Sequence, residues 1–234
     1  MTNFTSFLSI KSFRFLSYFA LLALVGLSAC KGEEELSPNA SYLRFINMSP
    51  TLGTYNIYFD DTKLNTAAIP FGGTIAYNTY FMGAHTVKYT TASSTVAVLT
   101  KSISLDVDKI HSLYLIDKGD KMDVLMVTDN VGAISTTKGL VKFLNLSPDA
   151  PALTLDIKEG ANIARDKTYK TGGEFVSLDP KKYTFEVKDA ATGVVKATLT
   201  DIDVAIGRHY TIVARGMMSP GANEQAFSAQ SLIN

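Results

Sequence analysis

The chain repeats itself, and the repeat limits its folds more than any other feature. Tyr42-Leu-Arg-Phe-Ile-Asn-Met-Ser-Pro50 matches Leu140-Val-Lys-Phe-Leu-Asn-Leu-Ser-Pro148 at a spacing of 98 residues. The same spacing pairs Ile57 and Phe59 with Leu155 and Ile157, Val87 and Tyr89 with Phe185 and Val187, and His111 with His209. The Gly72-Gly73 and Gly172-Gly173 turns agree after a slip of two. A supersecondary unit present twice implies two copies of one domain. The expected copies are 41–130 and 139–234, joined by a linker over 131–138.

Within each copy the hydrophobic period is two. Leu153, Leu155 and Ile157 alternate with Thr154 and Asp156, and Tyr183, Phe185 and Val187 alternate with Thr184 and Glu186. Ile103, Leu105 and Val107 alternate with Ser104 and Asp106. Such runs are strands with one face buried and one in water. Turn signals recur about every ten residues, at Ser49-Pro50, Asp60-Asp61, Gly72-Gly73, Lys118-Gly119-Asp120, Pro148-Asp149, Glu159-Gly160 and Thr192-Gly193. The expected fold class is all-β, as two tandem immunoglobulin-like antiparallel β-sandwich domains. A small barrel is the alternative.

The run Val141-Lys-Phe-Leu-Asn-Leu-Ser-Pro-Asp-Ala-Pro-Ala-Leu-Thr-Leu-Asp156 resembles the opening of a "domain of unknown function 4397" repeat. Lys182-Tyr-Thr-Phe-Glu-Val187 and Arg208-His-Tyr-Thr-Ile-Val-Ala-Arg-Gly216 resemble its later strands. The first copy departs from the pattern, with Ser49-Pro50-Thr51-Leu52-Gly53 in place of Ser-Pro-Asp-Ala-Pro. The resemblance implies an exported, often lipid-anchored, sandwich-like protein with no assigned activity.

The N-terminal segment gives an address. Residues 1–14 carry Lys11 and Arg14 and no acid, and Phe15 to Leu27 are almost wholly apolar. A positive start, a short apolar stretch and a small-residue junction make a secretory signal peptide over 1–29. The stretch is short of the ~20 apolar residues a spanning helix needs. Leu27-Ser28-Ala29-Cys30 resembles the lipobox of bacterial lipoproteins at every position. In that family the cysteine sulfur takes a diacylglyceryl group, cleavage makes the cysteine N-terminal, and its amine is usually acylated (commonly a palmitate-type chain). Cys30 is the only cysteine, so lipidation also accounts for the lone thiol. Residues 30–40, with Lys31-Gly32-Glu33-Glu34-Glu35, are an acidic tether. They resemble the export signal that sends some Gram-negative lipoproteins to the outer face of the outer membrane.

Composition narrows the partners. The chain balances 22 basic against 22 acidic residues, and losing residues 1–29 leaves it slightly acidic. That argues against nucleic-acid binding through phosphate neutralisation. Without internal disulfides, the domains must be held by apolar cores.

The candidate chemistry is thin. His111 and His209 fall on equivalent repeat positions before apolar strands, which suits a shared structural role, and His85 opens an alternating strand. Asp106/Asp108 and Asp201/Asp203 place paired carboxylates on strand faces, a pattern for calcium or glycosidase chemistry but also for a solvated face. Asn39, Asn47 and Asn145 match the glycosylation sequon, but Asn47 and Asn145 are expected to bond their own backbone where the strand turns. Tyr55, Tyr58, Tyr77, Tyr80 and Tyr89 either form a sugar platform or fill the first core. No nucleophile elbow, phosphate loop or dinucleotide fingerprint occurs.

The expectation is a non-enzymatic envelope lipoprotein, held to membrane through Cys30, needing no cofactor or metal, and binding a surface glycan or a protein. A hydrolase of surface polymers and an architectural spacer are the alternatives.

Overall fold

The computed structural model describes residues 39–234 except 130, 131 and 133. The signal-peptide and lipobox residues Leu27, Ser28, Ala29 and Cys30, the tether up to 38, and two linker positions lie outside the described residues. The described residues belong to one compact unit, Pro38–Asn234.

Sixteen strands build it, with a single 3₁₀ turn at Gly119–Lys121 and no other helix among the described residues. The first eight are β1 (Ala40–Asn47), β2 (Tyr55–Phe59), β3 (Thr62–Lys63), β4 (Thr74–Phe81), β5 (Gly83–Thr91), β6 (Ala97–Leu105), β7 (Ile110–Ile116) and β8 (Asp123–Thr128). The second eight are β9 (Gly139–Asn145), β10 (Leu153–Ile157), β11 (Asn162–Lys167), β12 (Val176–Leu178), β13 (Lys181–Asp189), β14 (Val195–Val204), β15 (His209–Arg215) and β16 (Ser228–Ile233). The first set forms sheets β4-β1-β7-β8 and β3-β2-β5-β6, and the second forms β12-β9-β15-β16 and β11-β10-β13-β14. The two sets share one strand order, as two sandwich units.

Pairing is antiparallel except at the centre of one sheet in each unit, where β1 runs parallel to β7 and β9 to β15. Parallel neighbours need a long crossover, and here the whole second sheet supplies it. Leu43, Phe45, Ile57, Val87, Tyr89, Leu113 and Leu115 fill the first core, and Val141, Phe143, Leu155, Phe185, Val187 and Ile212 the second.

A third apolar cluster lies between the sandwiches. Ile46, Met48, Tyr114 and Ile116 of the first meet Leu144, Leu146, Val213 and Leu232 of the second. β1, β7, β9 and β15 are thus buried on both faces, which explains why Ile110–Ile116 and His209–Arg215 do not alternate cleanly. The strictly alternating segments lie in the outer sheets, as in β10 and β13. The four sheets form one stack rather than two independent beads.

Polar groups cross this interface in a pseudo-two-fold pattern. Arg44 and Lys142 occupy matching positions 98 residues apart, as do Tyr77 and Phe175, and each cation lies 4.7 Å from its own ring. Each cation reaches across: Arg44 Nη2 donates to Asn234 Oδ1 (2.8 Å), and Lys142 Nζ to Asp129 Oδ1 (2.8 Å). Asp129 and Asn234 correspond, since their amides bond the carbonyls of Ile110 and His209 in turn. Ser112 Oγ (2.5 Å) and Tyr77 Oη (2.9 Å) also donate to Asp129 Oδ2. Burial raises the Tyr77 pKa, keeping the phenol a donor at neutral pH.

The Asn-x-Ser-Pro runs close the ends of β1 and β9. Asn47 Oδ1 accepts from the Ser49 amide (3.1 Å) while its Nδ2 donates to Ile69 O (3.1 Å). Asn145 does the same with the Ser147 amide (3.0 Å) and Lys167 O (3.0 Å). Ser49 and Ser147 donate to Asp117 O and Gly216 O, both at 2.7 Å, pinning each strand end to the end of its parallel partner. The expected backbone role of these asparagines is the one observed. Asn145→Ala should cost about 1–3 kcal/mol for each buried group left unpaired, measured as a lowered denaturation midpoint with an unchanged denaturant slope.

Candidate binding cleft

β1 and β9 both run from the end where the chain enters at Asn39 to an opposite end marked by Ser49 and Ser147. At that far end the sandwiches leave a cleft of about 1070 Å³. The first contributes Thr51 and the segment Asp117–Lys121 after β7; the second contributes Pro148, Asp149, Tyr169, Met217 and Gly221–Glu224.

The walls are held by local chemistry. The β15–β16 connection is longer than its β7–β8 counterpart, and it clasps the first sandwich. The Leu52 amide donates to Asn223 O (3.2 Å), the Gln225 amide to Pro50 O (3.1 Å), and Lys118 pairs with Glu224. Asp149 secures the loop by accepting from the Met218 (2.8 Å) and Ser219 (3.0 Å) amides. Thr51 stands at the equivalent place in the first half and makes instead a hydroxyl contact with Tyr55 (2.9 Å). The departure from Ser-Pro-Asp-Ala-Pro in the first sandwich therefore coincides with the asymmetry that shapes the cleft.

Tyr169 lines the cleft, with Lys170 Nζ 5.0 Å from its ring centre and paired to Asp117 at 3.2 Å. Burial, reinforced by Asp117, holds its phenol well above the usual range, so it remains protonated. The cleft thus offers an aromatic ring, Met217, and carboxylate, amide and ammonium groups.

The residues singled out from the sequence do not converge here. His111 and His209 are not equivalent. Leu43 pairs with His111, but Val141, the residue matching Leu43, pairs with Tyr210, so His209 corresponds to Ile110. The spacing slips by one because β14 carries an extra residue in a bulge, where Asp201 has φ 55°. His111 therefore lies on the first-core side, where burial lowers its pKa, while His209 meets Phe175 edge-on (5.3 Å) on the side facing the other sandwich.

His85 bonds Asp60 Oδ2 (2.6 Å) and Phe81 O (2.8 Å) at the end where the chain enters. Asp106 and Asp108 occupy an exposed turn rather than a strand face, and the bulge interrupts the alternation that would align Asp201 with Asp203. Among the described residues no three His, Cys, Asp or Glu side chains could hold a metal. The tyrosines form no common platform: Tyr55 and Tyr89 are in the first core, Tyr80 packs against it, Tyr77 joins the interface network, and Tyr58 lies under Lys88. Tyr169 and the clasping loop were not singled out by sequence, where 118–120 reads only as a turn.

The fold and cleft define an all-β protein of two packed sandwiches with a recess between their ends. The chain belongs to the family "Domain of unknown function (DUF4397)", whose model matches residues 41–158, from β1 through β10. No curated protein matches the chain.

Among solved structures it is similar to the Bacillus anthracis TIE protein (14% identity, 76% of this chain, TM-score 0.25). This chain spans 34% of that protein's length. It is also similar to the family 26 carbohydrate-binding module of Eubacterium rectale Amy13K, solved with maltoheptaose (8% identity, 83% of this chain and 96% of that one, TM-score 0.25). A third similarity is to family 41 carbohydrate-binding modules from streptococcal virulence factors, described for α-glucan recognition (12% identity, 74% and 93% coverage, TM-score 0.24).

Proposed function

We propose that the protein is a non-catalytic envelope lipoprotein, held by lipid on Cys30 at the outer face of the outer membrane, whose inter-sandwich cleft binds a surface glycan. Residues 139–234 would be a second copy of the family domain, given the shared strand order and Asn-x-Ser closure. The observation that carries the reading is the cleft's place at the end remote from where the chain enters at Asn39. A tether from Cys30 reaches the other end, so the cleft faces away from the membrane. An aromatic ring among carboxylates and amides suits a polyhydroxylated ligand.

Binding is favoured over hydrolysis because three of the cleft's four carboxylates, all but Asp120, already have structural partners. Asp117 pairs with Lys170, Glu224 with Lys118, and Asp149 with two loop amides. A catalytic pair needs carboxyl groups free to exchange protons with substrate.

Retention on the cells' own surface polysaccharides, with and without Tyr169→Ala, tests this. Loss of one aromatic hot spot should weaken binding about tenfold or more, read at a temperature where circular dichroism shows the variant folded. If wild type retains no surface polymer, the glycan reading fails. Capture of a protein through the same residue would assign the cleft to a protein partner instead.

A further inference from the structure

The end where the chain enters carries large apolar side chains that neither sandwich core requires. The turns β4–β5 and β6–β7 meet there around the start of β1, fixed by Met82 amide to Asn39 O (2.8 Å) and Asp108 amide to Ala40 O (2.9 Å). In the second sandwich the β14–β15 turn occupies the same end, fixed by Gly207 amide to Lys138 O (2.9 Å), and β8 and β16 finish beside it. Phe81 is 71% exposed, and Met82 and Val107 are exposed beside it. Ile134 is 73% exposed and abuts Gly207, next to exposed Ile206, with Ile233 exposed at the end of β16.

We propose that this end is a membrane-contact surface, resting on the lipid interface of the bilayer that holds Cys30. The proposal rests on the anchoring reading above. The tether fixes the geometry. The nine residues from 31 to 39 span at most about 30 Å when extended, so this end never strays far from the bilayer. A short link makes even a weak second contact intramolecular, at millimolar-scale effective concentration. Apolar side chains then gain by leaving water for the headgroup–acyl boundary.

The charges here are mixed. Lys109, Arg208, Lys181 and Lys182 stand among Asp106, Asp108, Asp179 and Asp203, all exposed, with Asp179 paired to Lys138. Insertion is therefore carried by the apolar groups, and the contact should be insensitive to salt and to anionic lipid. The consequence for the proposed function is an upright stance, with the cleft presented outward.

The chain contains no tryptophan, so Phe81→Trp supplies a single reporter at an exposed site. The lipidated full-length protein would be reconstituted in phosphatidylcholine vesicles, with and without brominated acyl chains. The expected result is blue-shifted emission, quenched by the brominated lipid at low and high salt alike. Leu52→Trp, 58% exposed at the cleft end, should be neither shifted nor quenched.

Protein retained on vesicles with the Phe81→Trp emission unquenched would overturn the contact surface and leave the anchor standing. If wild type does not stay with vesicles, the anchor and the contact surface fall together. A blue shift without vesicles, in a protein that dimerises in solution, would assign the surface to a second copy and overturn the lipid contact.

Discussion

Asp129→Ala should destabilise the protein by about 3–5 kcal/mol, the typical cost of removing one partner from a buried ion pair. The Asp129 side chain is 0% exposed and Lys142 only 9%. Lys142 Nζ, Ser112 Oγ, Tyr77 Oη and Asn234 Nδ2 all donate to this one carboxylate. The substitution leaves an ammonium and two hydroxyls buried without it, at the seam between the sandwiches. Asp129→Asn keeps the shape and should cost less. Adding Lys142→Met to Asp129→Ala should recover part of the loss, because an apolar pair of similar volume often replaces a buried ion pair at little cost. Chemical denaturation of wild type, Asp129→Ala, Lys142→Met and the double variant gives the coupling energy. A loss below 1 kcal/mol for Asp129→Ala would mean that the network is open to solvent.

The second large effect is expected in the core. Phe143 is fully buried, its ring in the second core and its neighbours Leu144 and Leu146 in the cluster between the sandwiches. Phe143→Ala should cost about 3–5 kcal/mol, set by lost burial and by the cavity left behind. Because β9 serves both clusters, the damage should not stay in one sandwich. Wild type and variant are each expected to unfold in a single transition, followed by calorimetry, with the variant's lowered. Two resolved transitions in the wild type would show that the sandwiches fold independently.

The sequence made some of this legible and concealed the rest. Period-two runs such as Leu153–Ile157 and Tyr183–Val187 identify strands of the outer sheets, where one face meets water. The matched Asn-x-Ser-Pro runs announce strand ends, and the side-chain bonds of Asn47 and Asn145 are local enough to be foreseen. The packing of one sandwich against the other was not foreseen. Its signal was present in the broken alternation of β7 and β15, but two-face burial and a non-regular strand read alike from periodicity.

The histidines show a different failure. A fixed spacing cannot register the one-residue bulge at Asp201, so His209 moves to the opposite face from His111. The cleft was illegible for a third reason. Its lining comes from five separated loops, and only tertiary contacts, such as those of Glu224 with Lys118 and Asn223 with Leu52, bring them together.

The proposed anchored, outward-facing arrangement depends on Cys30 more than on any other residue. Its most direct test is the intact mass of the protein extracted from membranes with detergent, followed by sequencing of its N-terminal peptide. The expected mass is that of a chain beginning at Cys30 with a diacylglyceryl group and an amide-linked acyl chain, and Cys30→Ala should abolish the modification and release the protein from the membrane fraction. An unmodified Cys30 in membrane-bound protein, or a Cys30→Ala variant held as firmly as wild type, would contradict it.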